Sequence, residues 1–208
     1  MKRSPGILVS VCAAGLVCAP AHASTIRALF SILPATVYAN PGDVGDAFDV
    51  ILTDGGPGSI SVQSFSFEVS VTDPAITLTG ANFSTTPDSY IFAGDSFDID
   101  TSSALNTDSG QTLDASDLTN DGLGITLTSG ESLALGQVLF NVAGNAAPGP
   151  LAVSFTGGTN FNNLSNPSGG NIPILSLTGD TIDVAPEPAS AFLLGGALCL
   201  LGVLRLRR

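Results

Sequence analysis

The stretch "DSFDID" sets three carboxylates close together, at Asp95, Asp98 and Asp100. In an extended chain Asp98 and Asp100 project to the same side, with Asp95 in the turn before them. A hard cation such as Ca²⁺ takes six to eight oxygen ligands, which makes these three the candidate metal ligands and Ca²⁺ the one cofactor the residues suggest. The segment does not meet EF-hand spacing: counted from Asp95, the sixth position is Asp100 rather than glycine, and the twelfth is Asn106 rather than an acid. Solvated acidic turns are the plainer reading. Paired carboxylates also hydrolyse glycosides. Here there is no Trp, and Tyr38 and Tyr90 are the only tyrosines, so no aromatic platform for a sugar is visible. The expectation is a protein without a catalytic site.

The composition around these acids narrows the choice further. Between Ser24 and Ala185 there is no Cys, His or Lys, and Arg27 is the only basic residue against seventeen acids, a formal charge of −16. Catalytic triads with His, Cys nucleophiles, Schiff-base lysines and His or Cys zinc sites all lack their side chains. Nucleic acid is excluded as a partner, because such a surface repels phosphates. No disulfide can staple this stretch, so its 162 residues must be held by an apolar core.

The elements that would position the acids are strands. "SFSFEVSV" at 64–71 alternates Phe65, Phe67, Val69 and Val71 with Ser64, Ser66, Glu68 and Ser70, the period of a half-buried strand. "QVLFNV" at 137–142 and "LAVSF" at 151–155 repeat the pattern, and "AFDVIL" at 47–52, "AITLTG" at 75–80, "GITLTS" at 124–129, "ILSLTG" at 174–179 and "DTIDV" at 180–184 read likewise. Clusters such as "NPGD", "TDGGPGS", "NAAPGP" and "NPSGGN" supply the turns between them. The fold class is all-β, an antiparallel jelly-roll sandwich. From Ser84 to Gly124 the pattern loosens and reads as a long acidic connection, in which "YIFAGDSFDID" at 90–100 forms at most one or two strands.

The order of these features resembles the cohesin family. "NPGDVGDAFDVILTDGG" is similar to a cohesin-like opening, "VQSFSFEVSVTDPAITLTGANFS" to the segment where an amphipathic strand reaches an Asp-Pro turn, and "LALGQVLFNVAGNAAPGPLAVSF" to the late strands. The resemblance spans roughly residues 37–184. It implies a sandwich of about nine strands, a fold shared with several carbohydrate-binding modules. The acidic stretch around 95–121 departs from the cohesins of cellulase assemblies, so dockerin binding is not carried over.

The two ends read as addresses rather than as parts of this domain. Lys2 and Arg3, the apolar run from Ile7 to Ala19, and the small residues Ala21 and Ala23 form a secretory signal peptide over residues 1–23, with cleavage after Ala23. Residues 24–185 are the exported domain, and 186–208 form a tail. Within the tail, 189–204 is an uncharged apolar run that reaches roughly 24 Å as a helix, against a hydrocarbon core of ~30 Å. Arg205, Arg207 and Arg208 follow it as a basic stop-transfer flank, which puts the domain outside and the C-terminus in the cytoplasm.

Val184-Ala185 followed by Pro186, Glu187 and Pro188, the apolar helix and the terminal arginines resemble a PEP-CTERM sorting signal of Gram-negative bacteria. That resemblance implies that Pro186, Glu187 and Pro188 are read by exosortase, a membrane-embedded processing enzyme. It also implies an inner-membrane precursor with its domain in the periplasm, then delivery to the cell surface or extracellular matrix. The expected function is therefore a non-enzymatic envelope or matrix protein, associated with exopolysaccharide or biofilm. The alternatives are a discrete carbohydrate- or protein-binding module, and a hydrolase that uses acids alone.

Overall fold

The computed structural model describes residues 28–83, 90–97, 105–107, 110–156 and 161–186. The signal-peptide residues Ala21 and Ala23, the apolar run 189–204, and Glu187, Pro188, Arg205, Arg207, Arg208, Asp98 and Asp100 lie outside them. The described residues form fourteen strands: β1 (Ala28–Leu33), β2 (Thr36–Ala39), β3 (Val44–Asp54), β4 (Ile60–Val62), β5 (Ser64–Val71), β6 (Ile76–Asn82), β7 (Leu105–Thr107), β8 (Thr112–Leu118), β9 (Ile125–Leu127), β10 (Ser132–Val142), β11 (Gly149–Phe155), β12 (Asn163–Ser165), β13 (Ile174–Thr178) and β14 (Asp180–Val184). The all-β expectation holds throughout this part of the chain. The number exceeds nine mainly because β4, β7, β9 and β12 are three-residue ribbons.

Two sheets make the sandwich. One has the order β13-β1-β3-β10-β6, the other β2-β14-β11-β5-β8-β7, with β12 also paired to β5; β4 and β9 form a separate ribbon. Alternation supplies the core between the sheets. Phe65, Phe67, Val69 and Val71 of β5 and Val138, Phe140 and Val142 of β10 are all buried. Each such side chain stabilises the fold by roughly 1.5–3 kcal/mol.

The sheets are not wholly antiparallel. β1 runs parallel to β13, and β14 parallel to β2, while the other strand pairs are antiparallel. The reason is topological. β1 and β13 lie side by side in one sheet, and each continues into a strand of the other sheet, β2 and β14. The first and last segments of the domain thus cross between layers together and in the same direction.

Gly179 stands at the second crossing. A Cβ there would collide with the Val153 backbone carbonyl, which cannot swing aside as a side chain can. Gly179→Ala is therefore expected to destabilise the domain by about 1–3 kcal/mol, the range for an overpacked site, measured by urea unfolding.

The stretch 84–124 contains more order than its composition suggests. β8 lies inside it and pairs with β5 along its whole length, from Ser64↔Leu118 to Ser70↔Thr112. Leu113, Ala115 and Asp117 face inward and are buried, so one of the aspartates that made the segment read as a loop occupies a core position. "YIFAGD" is a turn rather than a strand: Tyr90 bridges Ala134, Ser96 bridges Thr119, and the residues between them turn. "GITLTS" keeps only three residues of strand, β9.

Candidate functional site

The chemistry-bearing side chains gather on β5 and β8, on both faces of the second sheet. The outward face is built of short polar residues. Ser66 lies opposite Ser116, Glu68 opposite Asp114, and Ser70 opposite Thr112. On the other side of β5, Ser64 and Ser165 share a hydrogen bond of 2.5 Å, Ser70 and Ser154 one of 3.4 Å, and the Ser66 hydroxyl donates to the Phe161 carbonyl at 2.7 Å. Side chains this short leave the face flat and let backbone edges contribute to its surface.

One end of the face dips into a groove of about 280 Å³, lined by residues of β5, β8 and β12 that include Ser64, Ser66, Ser116 and Asn163, with Phe65 and Asp117 at its floor. Exposed Phe161 adjoins it through the bond to Ser66. Exposed Phe97 adjoins it through its amide, which donates to the Leu118 carbonyl at 2.9 Å. Small-molecule sites enclose roughly 300–1,000 Å³, so this groove lies at the lower edge of that range.

Beneath the groove lies a buried polar network. Asp117, 1% exposed, accepts hydrogen bonds from the Tyr90 hydroxyl, from the Ser96 hydroxyl at 2.6 Å and from the Leu118 amide at 2.7 Å. Burial, then the bond to Asp117, pushes the Tyr90 phenol far above its ordinary range. Rings enclose the network: Phe65 packs on Phe67, Phe83, Tyr90 and Phe92, with centroids 5.5–6.5 Å apart. Phe83 can rest on β10 because Gly136 has no Cβ, which would sit 2.9 Å from its ring. The network thus fastens the 90–97 turn to the end of β8 and supports the groove floor.

Glu68 and Asp114 form the second cluster. Partial burial, then the hydrogen bond and the charge of Glu68, push the Asp114 carboxyl up to about 6. Asp95 is also raised, by desolvation first and Asp121 second. Asp46 is raised by burial and by Asp43, whereas Glu131 is lowered by its bonds to Thr128.

A carboxyl that binds its proton more tightly when folded loses stability as pH rises through its folded value. Stability is therefore expected to fall between the ordinary carboxylate range and about pH 6, chiefly through Asp114. Asp114→Asn should flatten that part of a melting-temperature profile.

Of the residues singled out for chemistry in the sequence, Asp95 is the candidate metal ligand within the described part. Its carbonyl accepts from the Asn120 amide at 2.7 Å and its Oδ1 from the Asp121 amide at 3.2 Å, so it closes the turn against the 120–122 segment. Among the described residues, no group of three or more His, Cys, Asp or Glu is arranged to hold a metal ion, and no helix is long and apolar enough to cross a membrane. Pro186 is exposed and follows directly on the last sheet hydrogen bond, from the Ala185 amide to the Ala39 carbonyl at 2.8 Å. Sequence reasoning missed Tyr90, Ser96, Asp117, Glu68 and Asp114 as groups acting together. A signal for Asp117 was present, since it continues the inward alternation of Leu113 and Ala115.

No protein-family model matches the sequence, and neither does any curated protein. Solved structures do match. The cohesin CaCohA2 of Clostridium acetobutylicum, in complex with a CaDoc0917 variant, aligns with a TM-score of 0.55 at 18% identity, over 76% of this chain and all of that one. The Coh-OlpA module from Clostridium thermocellum, in complex with Doc918, aligns with a TM-score of 0.53 at 14% identity, over 77% and 99%. A non-cellulosomal cohesin from the archaeon Archaeoglobus fulgidus aligns with 0.51 at 11%, over 80% and 96%. The chain therefore carries a cohesin-like β-sandwich.

Proposed function

We propose that this protein is a non-enzymatic, protein-binding module, and that the outward face of β5, β8, β11 and β12 is its recognition surface. The observation that carries this reading is the Ser- and carboxylate-bearing face with a groove in it, to whose lining residues exposed Phe97 and Phe161 are tied through their backbones. Aromatic anchors beside a pocket are what protein interfaces concentrate their binding energy on. The fold supports the same direction, since cohesins of this shape have been solved in complex with dockerin proteins.

Delivery belongs to the termini. The signal peptide over residues 1–23 exports the domain, and the PEP-CTERM-like tail, with Pro186, Glu187 and Pro188 read by exosortase, sorts it toward the envelope or an exopolysaccharide matrix. The test is capture from secreted and envelope fractions of the producing cells, with wild type and Ser116→Arg compared. The arginine would lie across the groove, so capture should fall at least about tenfold, equivalent to ~1.4 kcal/mol. Equal capture by both proteins would remove the face from the proposal. Binding to purified glycans instead of protein would favour a carbohydrate-binding module.

A further inference from the structure

The pairing of β5 with β8 puts Glu68 directly opposite Asp114 in the middle of the proposed face. No basic residue among the described ones answers them. Along β5 their neighbours are Ser66 and Ser70, along β8 Thr112 and Ser116, and β11 offers Ser154 and Ala152. β7, which pairs with β8, consists of Leu105, Asn106 and Thr107, and the segment after β11 contributes Thr156, Phe161 and Asn162. Asp117 points to the opposite side of β8, while Asp180 and Asp183 of β14 lie beyond β11; Asp108 lies outside the described residues. The Glu68 backbone is held in register, since its amide donates to Asn162 Oδ1 at 3.1 Å and its carbonyl accepts from the Thr156 amide at 3.0 Å. Asp114 Oδ1 is enclosed and has no hydrogen-bond partner. Two carboxylates that face each other across neighbouring strands, with no basic residue among the described ones beside them, are relieved when one of them holds a proton.

We propose that Glu68 and Asp114 form a proton-sharing pair that switches this face between one negative charge and two, and that this switch regulates partner binding. This rests on the recognition reading above. With the proton in place, the pair is a carboxylic acid hydrogen-bonded to a carboxylate, and a partner can cover it at small desolvation cost. Without it, covering the face buries two like charges, and binding weakens. The elevated affinity of Asp114 for its proton, whose carboxyl sits at about 6, places the change in mildly acidic solution.

The test has two arms, both on the full chain. Carboxyl-carbon NMR follows the acids across the acidic and neutral range in wild type, Glu68→Gln and Asp114→Asn. One wild-type signal should titrate near 6 and return to the ordinary carboxylate range in Glu68→Gln; two ordinary titrations in wild type would overturn the pair. The second arm measures capture from the same cell fractions about one unit below and one unit above that midpoint. Wild type should capture several-fold more on the acidic side, and Glu68→Gln should capture nearly equally on both. A Glu68→Gln protein with the full wild-type pH dependence would overturn the regulatory role. No capture at either pH, with the raised titration intact, would sink the recognition reading while supporting the proton-sharing pair.

Discussion

Asp117→Ala is expected to destabilise the domain by about 2–4 kcal/mol, the cost of taking the shared acceptor away from several donors at once. The wild-type carboxylate satisfies three donors at once: the Tyr90 hydroxyl, the Ser96 hydroxyl and the Leu118 amide. Alanine takes the acceptor from the buried Tyr90 hydroxyl, an orphan that costs about 1–3 kcal/mol, and removes the bonds from the part-buried Ser96 hydroxyl and Leu118 amide, each a smaller loss. A domain of ordinary stability, about 5–15 kcal/mol, loses a large share of its margin.

Tyr90→Phe should cost much less, about 1–2 kcal/mol, because Asp117 keeps its two other donors. The ordering of these two variants is the informative result. If Tyr90→Phe proved as damaging as Asp117→Ala, the carboxylate would not be the centre of the network. Urea unfolding gives the free energies. Alkaline absorbance titration gives an independent reading, because the Tyr90 phenol is held protonated by burial and by Asp117. In Asp117→Ala that phenol should ionise at lower pH than in wild type.

The same residue shows where reading the chain succeeded and where it stopped. Strands such as β5 and β10 are legible because inward and outward residues differ in polarity at every step, and period two needs no knowledge of neighbours. β8 obeys the same period, yet its third inward residue is an aspartate, so polarity argues for a loop while geometry argues for a strand. Asp117 is tolerated there only because Tyr90 and Ser96 arrive from a turn earlier in the chain. The Glu68–Asp114 pair was hidden for a related reason. Each acid looks like an ordinary outward residue of its own strand, and only the register between two strands far apart in sequence makes them a pair. The parallel β1/β13 and β14/β2 contacts join the two extremes of the domain, and no local pattern encodes them. The cohesin-like order of turns and strands, by contrast, is carried by contiguous segments, which is why the architecture was legible while the site was not.

The second large effect concerns the rings that hold this network. Phe65→Ala is expected to cost about 3–5 kcal/mol, as large-to-small changes at a buried phenylalanine do. Phe65 is 3% exposed and touches four rings, Phe67, Phe83, Tyr90 and Phe92, and such pairs contribute beyond the area they bury. Phe140→Ala makes a useful control. That ring is fully buried too, and packs on Phe48 at 6.0 Å, away from the groove lining. Both variants should lose comparable stability, but only Phe65→Ala should weaken partner capture beyond what the unfolded fraction explains, since Phe65 floors the groove and braces Tyr90. Phe65→Leu should recover part of both losses. Combined with Asp117→Ala, the Phe65→Ala cost should fall short of the sum, because Tyr90 is a partner of both residues and can be released only once. Strict additivity in that double-mutant cycle would mean that the aromatic cluster and the buried carboxylate are separate supports, and that Tyr90 does not link the core to the face.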